Sequence, residues 1–127
     1  MQNAAQADGP LVLVAEDDKD VREVFHDLLD DEGYRTLMAT DGAEALDLAL
    51  REAPAIILLD LGLPLLDGPA FCRAYRERGG EAPVILVTAA NRQTVEEALA
   101  ACGAVAYIAK PFDIEVVRDT IERFATA

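Results

Sequence analysis

Glu16, Asp17 and Asp18 stand in a row directly after the apolar run Leu11–Ala15, and Asp60 follows another such run, Ala55–Leu59. Thr88 follows a third, Val84–Val87, and Lys110 a fourth, Ala104–Ala109. Each residue alone has an ordinary explanation: a helix cap, a turn, a strand-end hydroxyl, a solvated ammonium. Four such groups, each at the carboxyl end of its own run, form a set that coincidence explains poorly. The carboxylates converge if the first two of these runs are neighbouring strands. Three carboxylates in one small space repel strongly unless a cation joins them. Oxygen donors without His or thiolate select Mg²⁺, with Mn²⁺ able to substitute. Mg²⁺ also takes phosphate oxygens as ligands, so the set points to metal-assisted phosphoryl transfer. A carboxylate such as Asp60 can then act as nucleophile and form an aspartyl phosphate. Lys110 would neutralise developing charge and Thr88 would hydrogen-bond a phosphoryl oxygen, a catalysis of positioning and electrostatics.

The elements that must hold these groups are legible from periodicity. The fifth apolar run, Tyr34–Ala39, is more polar and suits an edge strand, whereas three of the others are almost wholly apolar, as strands buried on both faces should be. Between the runs lie stretches with helical spacing. Residues 19–32 carry Val21, Val24, Phe25, Leu28 and Leu29, with Asp18 as cap and Gly33 as terminator. Residues 42–52 follow Asp41, which with Glu44 resembles a capping box. Residues 68–78 carry Phe71, Cys72 and Tyr75 and end at Gly79–Gly80, and residues 92–102 carry Val95, Ala98, Leu99 and Cys102 and end at Gly103. Residues 113–125 carry Ile114, Val117, Ile121 and Phe124, with Asp113 as cap. Five strand–helix units predict an α/β fold, (βα)5, with a mostly parallel, doubly wound sheet and helices on both faces. Sites in such sheets lie at the carboxyl ends of the strands, near the reversal of strand order.

Composition narrows the partners. The 127 residues suit one domain, and 52% of them are hydrophobic, enough to fold around a core with no Trp in it. A formal net charge of −13 argues against nucleic acid and anionic membrane surfaces, which need Lys and Arg. No run of about 18 apolar residues is present, so no membrane span is expected. The polar leader 1–10 lacks the basic and apolar regions of a signal peptide and reads as a frayed tail. Cys72 and Cys102 form no CxxC pair and fall on apolar helix faces, so both are expected as free core thiols in a reducing cytoplasm.

The stretches VLVAEDD, LLDLGLPLLDG, VILVTA and YIAKPF, in this order and spacing, resemble the receiver domain of two-component response regulators. The resemblance runs from Leu11 to about Phe124. It implies a flavodoxin-like three-layer sandwich whose five parallel strands have the order 2-1-3-4-5, with a receiver domain over 11–125 and no output domain. It implies that Asp60 accepts the phosphoryl group, that Glu16 and Asp17 hold Mg²⁺ beside it, and that the backbone carbonyl of Gly62 is a further ligand. Thr88 and Lys110 match the phosphoryl-binding hydroxyl and ammonium. Tyr107, three residues before Lys110, matches the aromatic switch residue, and the Lys110–Pro111 bond would be cis. The implied protein is a signalling phosphoacceptor, not a turnover enzyme. It would be served by a sensor histidine kinase or a histidine phosphotransfer protein and read by a protein target at the face of the fourth helix, fifth strand and fifth helix. A cytoplasmic monomer, or a weak dimer formed on phosphorylation, fits that role.

Two departures matter. Gly62 and Ala90 offer no side chains to shield a phosphoryl group, which predicts fast hydrolysis. Ala104-Val105-Ala106 lacks the acidic pair usual in winged-helix regulators, against their style of dimer. The rivals are a pseudo-receiver that never takes phosphate, an Asp-nucleophile phosphatase and a nucleotide-binding domain. Every acidic residue and the Lys that a pseudo-receiver usually loses is present. The phosphatase wants a second Asp where Gly62 stands, and neither GxGxxG nor GxxxxGK[ST] occurs.

Overall fold

The computed structural model of the chain describes residues 9–125. Most of the leader therefore lies outside the described residues. Its last two residues are tied to the body: Arg35 donates through Nε to the Gly9 carbonyl at 2.8 Å and through its backbone N–H to Pro10 at 3.0 Å.

Strands β1 (Leu11–Ala15), β2 (Arg35–Ala39), β3 (Ile56–Leu59), β4 (Val84–Thr88) and β5 (Ala106–Ala109) alternate with helices α1 (Lys19–Asp31), α2 (Gly42–Glu52), α3 (Gly68–Glu77), α4 (Arg92–Cys102) and α5 (Ile114–Ala125). All pairings are parallel, in the order β2-β1-β3-β4-β5. The polar β2 is one edge. β5 is the other; it is shorter than its apolar run, and just before it the Val105 N–H donates to the Val84 carbonyl on β4.

Alternation along the strands divides the core in two. Val12, Val14, Ile56, Leu58, Ile85 and Val87 face α1 and α5, meeting Phe25, Leu28, Leu29, Val117 and Ile121. Leu13, Ile57, Leu59, Val84 and Leu86 face α2, α3 and α4, meeting Ala45, Ala49, Phe71, Tyr75, Val95 and Ala98. Burial of each large aliphatic side chain is worth roughly 2 kcal/mol before conformational entropy is subtracted.

Side chains fix the helix starts. Asp18 accepts from Asp20 N–H and Val21 N–H, Asp67 from Ala70 N–H, Asn91 from Thr94 N–H and Asp113 from Glu115 N–H. At α2 the box is displaced by one residue. Asp41 accepts from Glu44 N–H at 2.7 Å, but Glu44 reaches back to Thr40 N–H at 2.8 Å.

The expectation for the two cysteines is corrected here. Cys72 on α3 and Cys102 at the end of α4 are both buried, but they are joined as a disulfide, with Cα atoms 4.8 Å apart. The helices pack side by side on one face of the sheet, and that adjacency is invisible when each helix is read alone.

The loop from β3 to α3 carries local strain. Leu65 has φ +71° and is 82% exposed, so a branched residue sits in left-handed backbone with little burial in return. Gly42 fits tightly beneath this loop: its N–H donates to the Pro64 carbonyl, and a Cβ there would collide with the Leu66 carbonyl. Leu65→Asn should raise the unfolding free energy by roughly 0.5–1 kcal/mol, because Asn tolerates this region. Urea unfolding would show a higher midpoint at unchanged slope, and a lower midpoint would mean that the Leu65 side chain makes a contribution its exposure hides.

Candidate phosphoryl-transfer site

The sheet order places the ends of β1 and β3 side by side, and the backbone fixes the acidic residues there. Glu16 N–H donates to Ala39 on β2, and Asp60 N–H donates to Ala15 on β1. Carboxylate oxygens of Glu16, Asp17 and Asp60 then lie within 4.8 Å of one another. Glu16 is buried and Asp17 exposed, while the Asp60 side chain is 13% exposed at the floor of the opening.

Lys110 reaches into this group from the end of β5. Its backbone N–H donates to the Thr88 carbonyl, and its Nζ donates to Glu16 Oε1 at 2.6 Å and Asp60 Oδ2 at 3.0 Å. The peptide bond that follows, Lys110–Pro111, is cis. Glu16 Oε2 accepts from Asp18 N–H at 3.1 Å, and Asp60 Oδ1 from Gly62 N–H at 3.2 Å. The Arg22 guanidinium donates to the Glu16 backbone carbonyl at 2.9 Å.

Burial pushes the Glu16 carboxyl above its ordinary range. The Lys110 and Asp18 hydrogen bonds oppose the rise, and the charge of Asp60 adds to it. Burial pulls the Lys110 ammonium down, but its hydrogen bonds to Glu16 and Asp60, with their charges, outweigh this and leave it raised. The cluster thus has an excess of negative charge that one ammonium does not cancel. Three carboxylates with no His or thiol among them are the donor set of a hard divalent cation, and the cluster is compatible with Mg²⁺.

A cavity of about 370 Å³ opens between the ends of β3 and β4, lined by Asp60, Leu61, Gly62, Thr88, Ala89, Ala90, Thr94 and Lys110. Thr88 is buried, and its hydroxyl oxygen accepts from Ala90 N–H at 3.2 Å, leaving its proton available to an oxygen in the cavity. The structure thus brings Glu16, Asp17, Asp60, Gly62, Thr88 and Lys110 together. Tyr107 stands apart. The residue is 41% exposed and borders a second cavity with Arg92, Val95, Glu96 and Leu99 of α4. Thr94, on the first turn of α4, was missed by the sequence reading. The usable signal was Asn91 three residues earlier, a helix cap that aims that turn at the sheet's carboxyl edge.

A family model described as the response regulator receiver domain matches residues 12–122. Sporulation initiation phosphotransferase F of Bacillus subtilis (strain 168) is 30% identical over 113 residues, covering 89% of this chain and 91% of that protein. Response regulator MprA of Mycobacterium sp. (strain KMS) is 41% identical over 106 residues, covering 82% of this chain but 45% of MprA, so the chain spans less than half of that relative. Among solved structures, the receiver domain of a sensor histidine kinase from Pseudomonas aeruginosa, with a magnesium ion coordinated in its active-site cleft, is 32% identical with a TM-score of 0.85, covering 94% of this chain and 99% of that one.

Proposed function

The chain belongs to the response regulator receiver family of two-component signalling, and from that premise we propose that Asp60 is its phosphoacceptor and Tyr107 its readout. The observation that carries this reading is Lys110 Nζ held between Glu16 and Asp60 at the mouth of a cavity that Thr88 also lines. Asp60 takes the phosphoryl group from a phosphohistidine: a bond from its carboxylate oxygen to phosphorus forms as the bond to the imidazole nitrogen breaks. Lys110 and the Thr88 hydroxyl then hold the charged phosphoryl oxygens. Glu16, Asp17, Asp60 and the Gly62 carbonyl would hold Mg²⁺, which offsets negative charge on both the phosphoryl group and the carboxylates.

The donor partner is a sensor histidine kinase or a histidine phosphotransfer protein. The output is a change of surface rather than turnover of substrate. As Thr88 turns toward the phosphoryl group, Tyr107 moves inward and the face of α4, β5 and α5 repacks, with Val105, Tyr107 and Val116 exposed upon it. That face would dock a protein target, either on the monomer or in a weak dimer formed on phosphorylation. We assign the protein to the cytoplasm. Among the described residues no helix is long and apolar enough to cross a membrane.

Incubation with acetyl phosphate and Mg²⁺ should add one phosphoryl mass to the wild-type protein and none to Asp60→Asn, read by intact mass. An unmodified wild type would sink the proposal in favour of a phosphate-independent interaction module. Mg²⁺ alone should raise the melting temperature: at ten times Kd the gain is about 1.4 kcal/mol, roughly 4 °C for a chain this size. An unchanged melting temperature at millimolar Mg²⁺ counts against the metal assignment.

A further inference from the structure

The helix between the Asp60 cavity and Tyr107 is fastened at its far end. α4 meets the cavity through Thr94 on its first turn and borders the Tyr107 cavity through Arg92, Val95, Glu96 and Leu99. Roughly 16 Å along its axis it ends at Cys102, bonded to Cys72 of α3. The same end is held by Arg76 of α3, whose guanidinium donates to the Cys102 carbonyl through Nε at 3.3 Å and NH2 at 3.2 Å. Through NH1 it also donates to Gly80 and Ala82 beyond α3. The covalent bond and the guanidinium together fix one end of α4 to α3, while the other end is held by the Asn91 cap, the β4–α4 loop and the packing of Val95, with no covalent tie.

We propose that Cys72 and Cys102 are a redox modification site that sets how far α4 can move. In the disulfide form the carboxyl end of α4 is a fixed pivot and only its amino end responds to events at Asp60. In the dithiol form Arg76 alone restrains that end and the whole helix yields. A phosphorylation signal is then relayed more strongly to the α4–β5–α5 face when the protein is reduced. The reductant is a dithiol. One thiolate attacks a cysteine sulfur, the S–S bond breaks, and a mixed disulfide forms. The second thiol closes the reductant's own disulfide and releases the other cysteine thiolate, so two electrons and two protons pass to the protein. Both sulfurs are almost fully buried, so exchange requires α3 and α4 to part, which makes the site slow and suited to reporting sustained reduction. The relay to the output face rests on the reading of Asp60 above. The brace on α4 does not.

Hydrogen exchange of the unphosphorylated protein, disulfide-bonded and after reduction by dithiothreitol, tests the brace directly. The readout is the exchange of residues 95–102 relative to β1 and β3 in the same sample, which removes any uniform loss of stability. Reduction should raise this ratio at least tenfold, and Cys72→Ala/Cys102→Ala should match the reduced wild type. An unchanged ratio, or a double variant that keeps the ratio of the disulfide form, overturns the proposal. With acetyl phosphate and Mg²⁺, the exchange change over 92–109 should be at least threefold larger in the reduced protein, and equal responses also overturn it. Failure to take up phosphate in both forms counts against Asp60 as acceptor, and the ratio without phosphate still decides the brace.

Discussion

Lys110→Ala should slow phosphorylation from acetyl phosphate by roughly 100-fold and, without metal, lower the unfolding free energy by roughly 2–4 kcal/mol. The rate effect follows from position: Nζ lies 3.0 Å from Asp60 and Lys110 lines the cavity, so its charge falls where phosphoryl oxygens would sit if Asp60 is the acceptor. Removing one preorganised donor commonly costs that factor. The stability effect follows from what is left behind. Glu16 is 2% exposed, and without Lys110 it keeps only the Asp18 N–H on its carboxylate, with Asp60 close by. Stripping a partner from a buried charge costs more than the pair contributes, but Lys110 itself is 18% exposed, so water moderates the loss. The sign with pH is fixed. Lys110 lowers the Glu16 pKa, so its removal raises that pKa further above the unfolded value. A group raised on folding contributes stability that is present below its unfolded pKa and lost as pH rises through the folded one. The gap between variant and wild type should therefore widen from pH 5 to pH 8 in urea titrations under chelator. It should shrink when Mg²⁺ is added. A gap that is constant with pH would show that packing of the lysine stem, and not its charge, is what the variant loses.

The fold was legible because each strand is a short apolar run and each helix begins on a residue that caps it. The same alternation that marks the strands also sends Leu13 to one face and Val14 to the other, so the two half-cores were implicit in the pattern. The charged groups Glu16, Asp60 and Lys110 were legible for a different reason: charged side chains placed directly at the carboxyl ends of apolar runs have no packing role to explain them. Three features were not legible. The shift of the α2 box to Thr40 depends on how the chain enters the helix, which the Asp41–Glu44 spacing does not determine. Thr94 looks like any first-turn threonine until α4 is placed against β4. The Cys72–Cys102 pair joins two cysteines 30 residues apart, and it depends on their helices lying on the same face of the sheet. Helical spacing tells which side of a helix is buried and says nothing about its neighbour.

Loss of the disulfide should cost about 3–4 kcal/mol of unfolding free energy, the loop-closure value for a separation near that of these two cysteines. For a chain of this size the corresponding fall in melting temperature is roughly 10–15 °C. Urea unfolding of the disulfide-bonded protein, the dithiothreitol-reduced protein and Cys72→Ala/Cys102→Ala gives the comparison, with thiol titration in urea fixing the redox state of each. The disulfide constrains mainly the unfolded chain, so the unfolding slope should also increase on reduction, as a longer denatured chain exposes more surface. The double variant separates this from packing. Alanine removes both sulfurs from the core formed by Phe71, Tyr75, Val95 and Ala98, whereas reduction keeps them there as thiols. If the chain-entropy account holds, the two proteins fall together to within about 1 kcal/mol, the small remainder being the cavity left by two sulfur atoms. A reduced protein as stable as the disulfide-bonded one would mean that closing the bond costs the folded helices as much as it removes from the unfolded chain. α3 and α4 would then have to sit differently once the sulfurs part.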